Sequence, residues 1–273
     1  DVTGSASAFA AVLKEKKDAL LGAFAQSDPA GSGYISYEVL QDALSANDME
    51  LNDQVLITLM RRYDLNKDGY RDVVLATHFN GTSCEDDSTI YWGEADSPLS
   101  TTSTLATNGA RDVVIADFDS DGWRDIIFSG ATEGCEKGQS ASPAIIYWNE
   151  NGSFSEESEQ RSGTQNVWAI DVDDIDDDGE KDLLLCRHLN NDSYSATSVI
   201  LWGDGRSFDG FTELATVGCA DQLLEDLDGD GLLDVVFANY RDDDGSSPSS
   251  YVYFYDDDRF STASVETLSI GGA

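Results

Sequence analysis

Positive charge is scarce in this 273-residue chain: 16 lysines and arginines stand against 53 aspartates and glutamates, for a formal net charge of −37. Such a balance excludes nucleic acid and anionic membrane surfaces as partners, because polyanions repel the chain, and it makes cations the expected ones. Histidine is limited to two residues, His78 and His188. No Ser-His-Asp arrangement, phosphate-cradling glycine loop or redox C-x-x-C pair can be made out, so nothing in the pattern supports an enzyme. No apolar run approaches the roughly 18 residues a membrane helix needs, so no membrane insertion is expected. No signal-peptide core precedes Asp1, which reads as a soluble, processed or trimmed chain. The four cysteines lack the spacing of a zinc site. Apolar residues, at 40% with 10% aromatic, are plentiful enough to rule out intrinsic disorder despite the charge. The length suits one large all-β domain with an appendage.

What is present first suggests a compartment. Cys84, Cys135, Cys186 and Cys219 are even in number, and Asn80-Gly-Thr82, Asn151-Gly-Ser153 and Asn191-Asp-Ser193 are N-glycosylation sequons in polar stretches between apolar runs. Together they point to a secretory route and an extracellular or cell-surface location. Cys84 can pair with Cys135 and Cys186 with Cys219; four buried thiols are the alternative.

The chain is repetitive. It reads DLNKDGYRDVVLATH from Asp64, DFDSDGWRDIIFSGA from Asp117, DIDDDGEKDLLLCRH from Asp174 and DLDGDGLLDVVFANY from Asp226, at separations of 53, 57 and 52 residues. Each copy continues through a polar loop into another apolar run: Thr89–Trp92, Ile145–Trp148, Val199–Trp202 and Tyr251–Phe254. The runs are short, β-branched or aromatic, and bounded by Gly, Asp, Asn and Ser, which signals strands. In the second copy Val113–Ala116 leads into the acidic loop, Asp125–Phe128 leaves it, Ala144–Trp148 is a third strand, and a fourth is expected near Phe154. Four strands per unit of about 50 residues predict a mainly β fold, a β-propeller of four recognisable four-stranded blades starting near residues 64, 110, 166 and 218.

The acidic loops carry the chemistry. The pattern D-x-[DN]-x-D-G-x-x-D puts side-chain oxygens at positions 1, 3, 5 and 9, a glycine at 6 for the sharp turn, and a backbone carbonyl at 7. The ligand sets are Asp64, Asn66, Asp68, Tyr70 and Asp72; Asp117, Asp119, Asp121, Trp123 and Asp125; Asp174, Asp176, Asp178, Glu180 and Asp182; and Asp226, Asp228, Asp230, Leu232 and Asp234. A hard cation that takes six to eight oxygens at about 2.3–2.6 Å fits this spacing, so Ca²⁺ is expected at one site per blade, whereas Mg²⁺ prefers a tighter octahedron and keeps its waters. The EF-hand glutamate at position 12 is replaced by Leu75, Phe128, Leu185 and Phe237, so position 9 has to close each site. Carboxylates crowded into nine residues repel one another unless a cation is present, which makes the metal a folding component. A merely solvated Asp/Gly-rich turn is the bland alternative.

These four copies resemble the FG-GAP/VCBS family, the calcium-loop β-propeller repeats of integrin α-subunit heads, fungal lectins and secreted microbial and algal proteins. The resemblance covers about residues 64 to 273 and implies calcium in the loop joining the first two strands of each blade. No Phe-Gly…Gly-Ala-Pro stretch precedes the loops, and four copies fall short of the usual six to eight or so blades. The ring either closes with four or is part of a larger one, completed by a longer product or a partner.

Residues 1–63 are expected to form a small α-helical, EF-hand-like extension. Phe9, Val12, Leu13, Leu20, Leu21 and Phe24 share one helical face, as do Leu51, Val55, Leu56, Leu59, Met60 and Tyr63. Between them the segment from Asp28 looks like an EF-hand loop with Gly33 at position 6, in which Asp28, Ser32 and Tyr34 would ligate. Ala30 at position 3 and Val39 at position 12 offer nothing, so a structural loop is the expected role. If residues 52–63 are helical, the first blade lacks its first strand and that edge needs a cover.

Trp92, Trp148, Trp202 and Phe254 recur at matched places in the third strands, where packing is the plain reading and a sugar platform the sharper one. His78 and His188 each lie 14 residues after a loop's first Asp. The function expected is that of an extracellular, calcium-stabilised propeller acting as a protein-interaction, adhesion or structural-assembly subunit, through a protein partner or self-assembly. A glycan-binding lectin is the alternative, and a hydrolase, lyase or dehydratase with His78 or His188 as base is the second.

Overall fold

The β-branched and aromatic runs that flank the acidic loops form strands in the computed structural model, which describes residues 60–78, 87–94, 99–107, 109–130, 143–155, 159–190, 193–256, 259–260 and 265–269. The segment with Asp28, Ser32 and Tyr34, the asparagines Asn80 and Asn191, and Cys84 and Cys135 lie outside these residues, as does most of the predicted helical extension. The chain divides into two units, Asp1–Gly109 and Ala110–Ala273.

In the first unit, β1 (Met60–Tyr63), β2 (Asp72–Leu75), β3 (Ser88–Trp92) and β4 (Thr101–Leu105) form one antiparallel sheet in that order. Met60 and Tyr63, predicted on a helical face, are instead extended: Met60 pairs with Leu75 and Tyr63 with Asp72. The ladder offered by β2 outweighs local helical periodicity here, and the first blade has its first strand after all.

The second unit repeats the same meander three times. Its sheets are β5 (Val113–Ala116), β6 (Asp125–Phe128), β7 (Pro143–Tyr147) and β8 (Glu159–Gln165); β9 (Val167–Asp173), β10 (Asp182–Arg187), β11 (Ser195–Asp204) and β12 (Ser207–Val217); and β13 (Cys219–Glu225), β14 (Asp234–Asn239) and β15 (Ser250–Tyr253) with β18 (Glu266–Leu268). A small hairpin, β16 (Tyr255–Asp256) with β17 (Arg259–Phe260), precedes the last strand. The fourth strand of the second copy begins at Glu159, beyond the expected Phe154, because a turn intervenes. There Gly152 donates to Asn149 Oδ1 at 2.6 Å, and the sequon residue Asn151 sits exposed at φ 55°.

Burial explains the unbroken apolar runs. All four residues of β6, and the first five of β10, are buried, since both faces of a middle strand are covered; the outer strand β12 alternates with solvent along most of its length. One core of the second unit joins Ile127 and Ile146 to Leu183 and Leu185, and another joins Leu184 and Ile200 to Val235 and Phe237. Two stitches tie its sheets. Asp112 Oδ2 accepts the Ile170 amide at 3.0 Å, and a disulfide joins Cys186 on β10 to Cys219 on β13, with Cα atoms 5.6 Å apart. The disulfide closes a sequence separation of 33 residues. Cys186→Ser with Cys219→Ser is expected to lower the unfolding free energy by about 2–4 kcal/mol, read from a denaturant midpoint under non-reducing conditions. An unchanged midpoint would show that the crosslink does not constrain the unfolded chain.

Candidate metal centres in the acidic loops

Each acidic loop joins the first two strands of its sheet and folds by the same hydrogen bonds. The position-1 carboxylate accepts the amide of the position-6 glycine: Gly69 to Asp64 at 3.1 Å, Gly122 to Asp117 at 3.1 Å, Gly179 to Asp174 at 3.0 Å and Gly231 to Asp226 at 3.0 Å. The position-5 carboxylate accepts the position-7 amide at 2.8 Å in all four, from Tyr70, Trp123, Glu180 and Leu232. Positions 4 and 6 are left-handed throughout. Lys67, Ser120 and Asp177 have φ of 56°, 59° and 60°, and the position-6 glycines lie between 89° and 96°. That conformation is why glycine stands at position 6.

Position 9 does something the spacing alone did not reveal. Asp72, Asp125, Asp182 and Asp234 are at most 1% exposed, and both oxygens of each are used. One accepts the position-2 amide of its own loop: Leu65 at 2.7 Å, Phe118 at 2.9 Å, Ile175 at 2.8 Å and Leu227 at 2.9 Å. The other accepts the amide that follows the third strand's aromatic: Gly93 at 2.8 Å, Asn149 at 2.9 Å, Gly203 at 2.9 Å and Tyr255 at 3.0 Å. The carboxylate thus clamps loop to strand, and remaining lone pairs can still face a cation. A Cβ on Gly93 or Gly203 would collide with the carbonyl oxygen of Arg71 or Lys181, which explains glycine at both places. Asn149, at the matching place in the second copy, donates its side-chain amide to Arg124 O at 2.9 Å instead.

Among the described residues, carboxylate oxygens converge to within 4.8 Å in three groups: Asp117, Asp119 and Asp125; Asp174, Asp176 and Asp182; and Asp226, Asp228 and Asp230. Asp121, Asp178 and Asp234 stand outside these groups. The first loop makes none, consistent with Asn66, whose amide nitrogen donates to Asp68 Oδ2 at 3.1 Å. Burial, reinforced by neighbouring loop carboxylates against the amide bonds, pushes Asp125 up to about 7 and Asp182 up to about 6, and raises Asp72 as well. Burial first, then Asp178, raises Asp176. Hard oxygen donors at this density, on carboxyls that resist ionising alone, are a donor set suited to a divalent hard cation.

The recurring tryptophans serve packing and internal hydrogen bonds: Trp148 joins the core with Leu183 and Leu185, and Trp202 lies 6.3 Å from Tyr255. Trp92 and Trp202 donate their indole N–H to Ser103 Oγ at 2.8 Å and Thr212 Oγ1 at 3.1 Å, and buried Trp148 lies 5.9 Å from Phe118. His188 is buried, stacked on Trp168 at 3.3 Å with Nδ1 bonded to Cys219 O, so it braces the disulfide.

Four four-stranded antiparallel sheets, each opening on an acidic loop, define a β-propeller-like repeat protein. Residues 64–128, from the first acidic loop through β6, match the family model of an FG-GAP-like repeat. No curated protein matches the chain. No helix among the described residues is long and apolar enough to cross a membrane.

Proposed function

We propose that this chain is an extracellular, calcium-stabilised β-propeller that serves as a protein-interaction, adhesion or assembly subunit. The observation that carries the reading is the fourfold recurrence of one loop geometry, in which a buried position-9 aspartate is clamped by two amides, together with the convergence of carboxylate oxygens in the second, third and fourth loops. FG-GAP repeats are typically protein-interaction modules, which supports a protein partner or self-assembly over a glycan. The internally bonded indoles of Trp92 and Trp202 support it too, since they serve the sheet rather than a sugar platform. The Cys186–Cys219 disulfide and the exposed turn at Asn151 agree with a secretory route.

Calorimetric titration of the chelator-treated full chain is expected to show about four Ca²⁺ equivalents, one per loop, with the Asn66 loop the weakest, and no comparable uptake of Mg²⁺. The native particle mass, measured with and without calcium, tests the assembly role. Uptake of no calcium at millimolar concentration would overturn the metal reading. A monomeric mass under both conditions, with no partner recovered from extracellular material, would overturn the assembly reading.

A further inference from the structure

The tight turn between β11 and β12 touches two acidic loops at once. Gly205 donates its amide to Oε2 of Glu180, position 7 of the third loop, at 3.2 Å. The next residue, Arg206, reaches back to the second loop: Nε donates to Asp119 Oδ2 at 2.5 Å and Nη2 to Asp121 Oδ2 at 3.4 Å. Its Nη1 donates to Glu150 Oε1 at 2.5 Å, and the guanidinium lies 5.3 Å from the centre of the Trp148 ring. These are positions 3 and 5 of the second loop, and the Asp119 side chain is only 6% exposed, so the pair is shielded on one side from solvent screening. Among the described residues no other loop has a basic side chain bonded to its position-3 or position-5 carboxylate.

We propose that Arg206 is a built-in counter-cation that lowers the divalent-ion affinity of the second loop and links that site to the third loop through a single turn. The inference rests on the calcium reading above. A guanidinium sharing Asp119 with a divalent ion repels that ion and must yield part of its own bonding when the ion enters. Without metal, the same guanidinium offsets the repulsion among Asp117, Asp119 and Asp121. Arg206 is therefore a positioning residue that stabilises the metal-free loop and opposes its filling. The Gly205–Glu180 bond carries any shift of the turn to the neighbouring site.

The test is a titration of the full chain with Ca²⁺ and with luminescent Tb³⁺. Trp123, at position 7 of the second loop, is the antenna; a Trp123→Phe control identifies the signal that belongs to that loop. Arg206→Gln and Arg206→Ala are expected to tighten ion binding at the second loop about tenfold, the equivalent of about 1.4 kcal/mol. Arg206→Lys is expected to stay nearer the parent. In chelator the two neutral variants melt lower than the parent, so the rise in Tm on adding calcium widens. Binding that is unchanged or weaker in the neutral variants, while the parent takes up calcium, overturns this inference alone. Absence of uptake in parent and variants overturns the calcium reading and this inference together.

Discussion

Asp182→Ala is expected to lower the unfolding free energy by about 3–5 kcal/mol, seen as a shifted urea midpoint, even with chelator present. The side chain is 1% exposed, and its oxygens hold the amides of Ile175 and Gly203 at 2.8 and 2.9 Å. Removing the carboxylate strands two buried donors, each worth about 1–3 kcal/mol, and frees the third loop from the end of β11. Asp176→Asn is the informative partner. It changes a ligand position without touching the clamp, so in chelator it should shift stability by less than about 1 kcal/mol while reducing the gain on adding calcium. Equal losses from both substitutions in chelator would show that position 9 is only one more loop carboxylate.

Chelation itself has the largest expected effect. With a dissociation constant of about 10⁻⁴ M and about 1 mM free calcium, each filled site stabilises the native state by roughly 1.4 kcal/mol, or about 5–6 kcal/mol for four. That is comparable to a whole domain's margin of about 5–15 kcal/mol, so excess EGTA is expected to lower Tm steeply. The effect depends on pH with a defined sign. Asp125 and Asp182 hold their protons up to about 7 and about 6 in the folded state, above the ordinary aspartate value near 3.8. In chelator their contribution is therefore stabilising at low pH and is lost as pH rises through those values. Calcium competes with those protons, so the stabilisation it confers shrinks as pH falls from 7 to 6 and below. A Tm difference between calcium and EGTA that is identical at pH 5 and pH 8 would contradict this coupling.

The strands and loops were legible because their signals are local. A run such as Asp125-Ile-Ile-Phe128 lies next to its turn residues, and the left-handed position 6 can be read from its glycine. The site was half legible for the same reason: the oxygens at positions 1, 3, 5 and 9 follow from spacing. What position 9 does with its oxygens was not, because the second amide it accepts comes from residues 21 or 24 positions away, across the sheet. Arg206 carried no signal at all, lying 87 residues from Asp119. Helical periodicity misplaced Met60–Tyr63, since a four-residue strand is too short to display its own period and is recognised only by its ladder.

The sequence by itself determined the repeat, the middle strands and the acidic turns, because each is set by residues a few positions apart. Tertiary structure alone decided that the candidate pair Cys186 and Cys219 is bonded rather than left as buried thiols, which carboxylates converge, and which oxygens are already taken by amides. Those outcomes depend on where separate sheets and turns place their groups in space, and no interval along the chain encodes that distance.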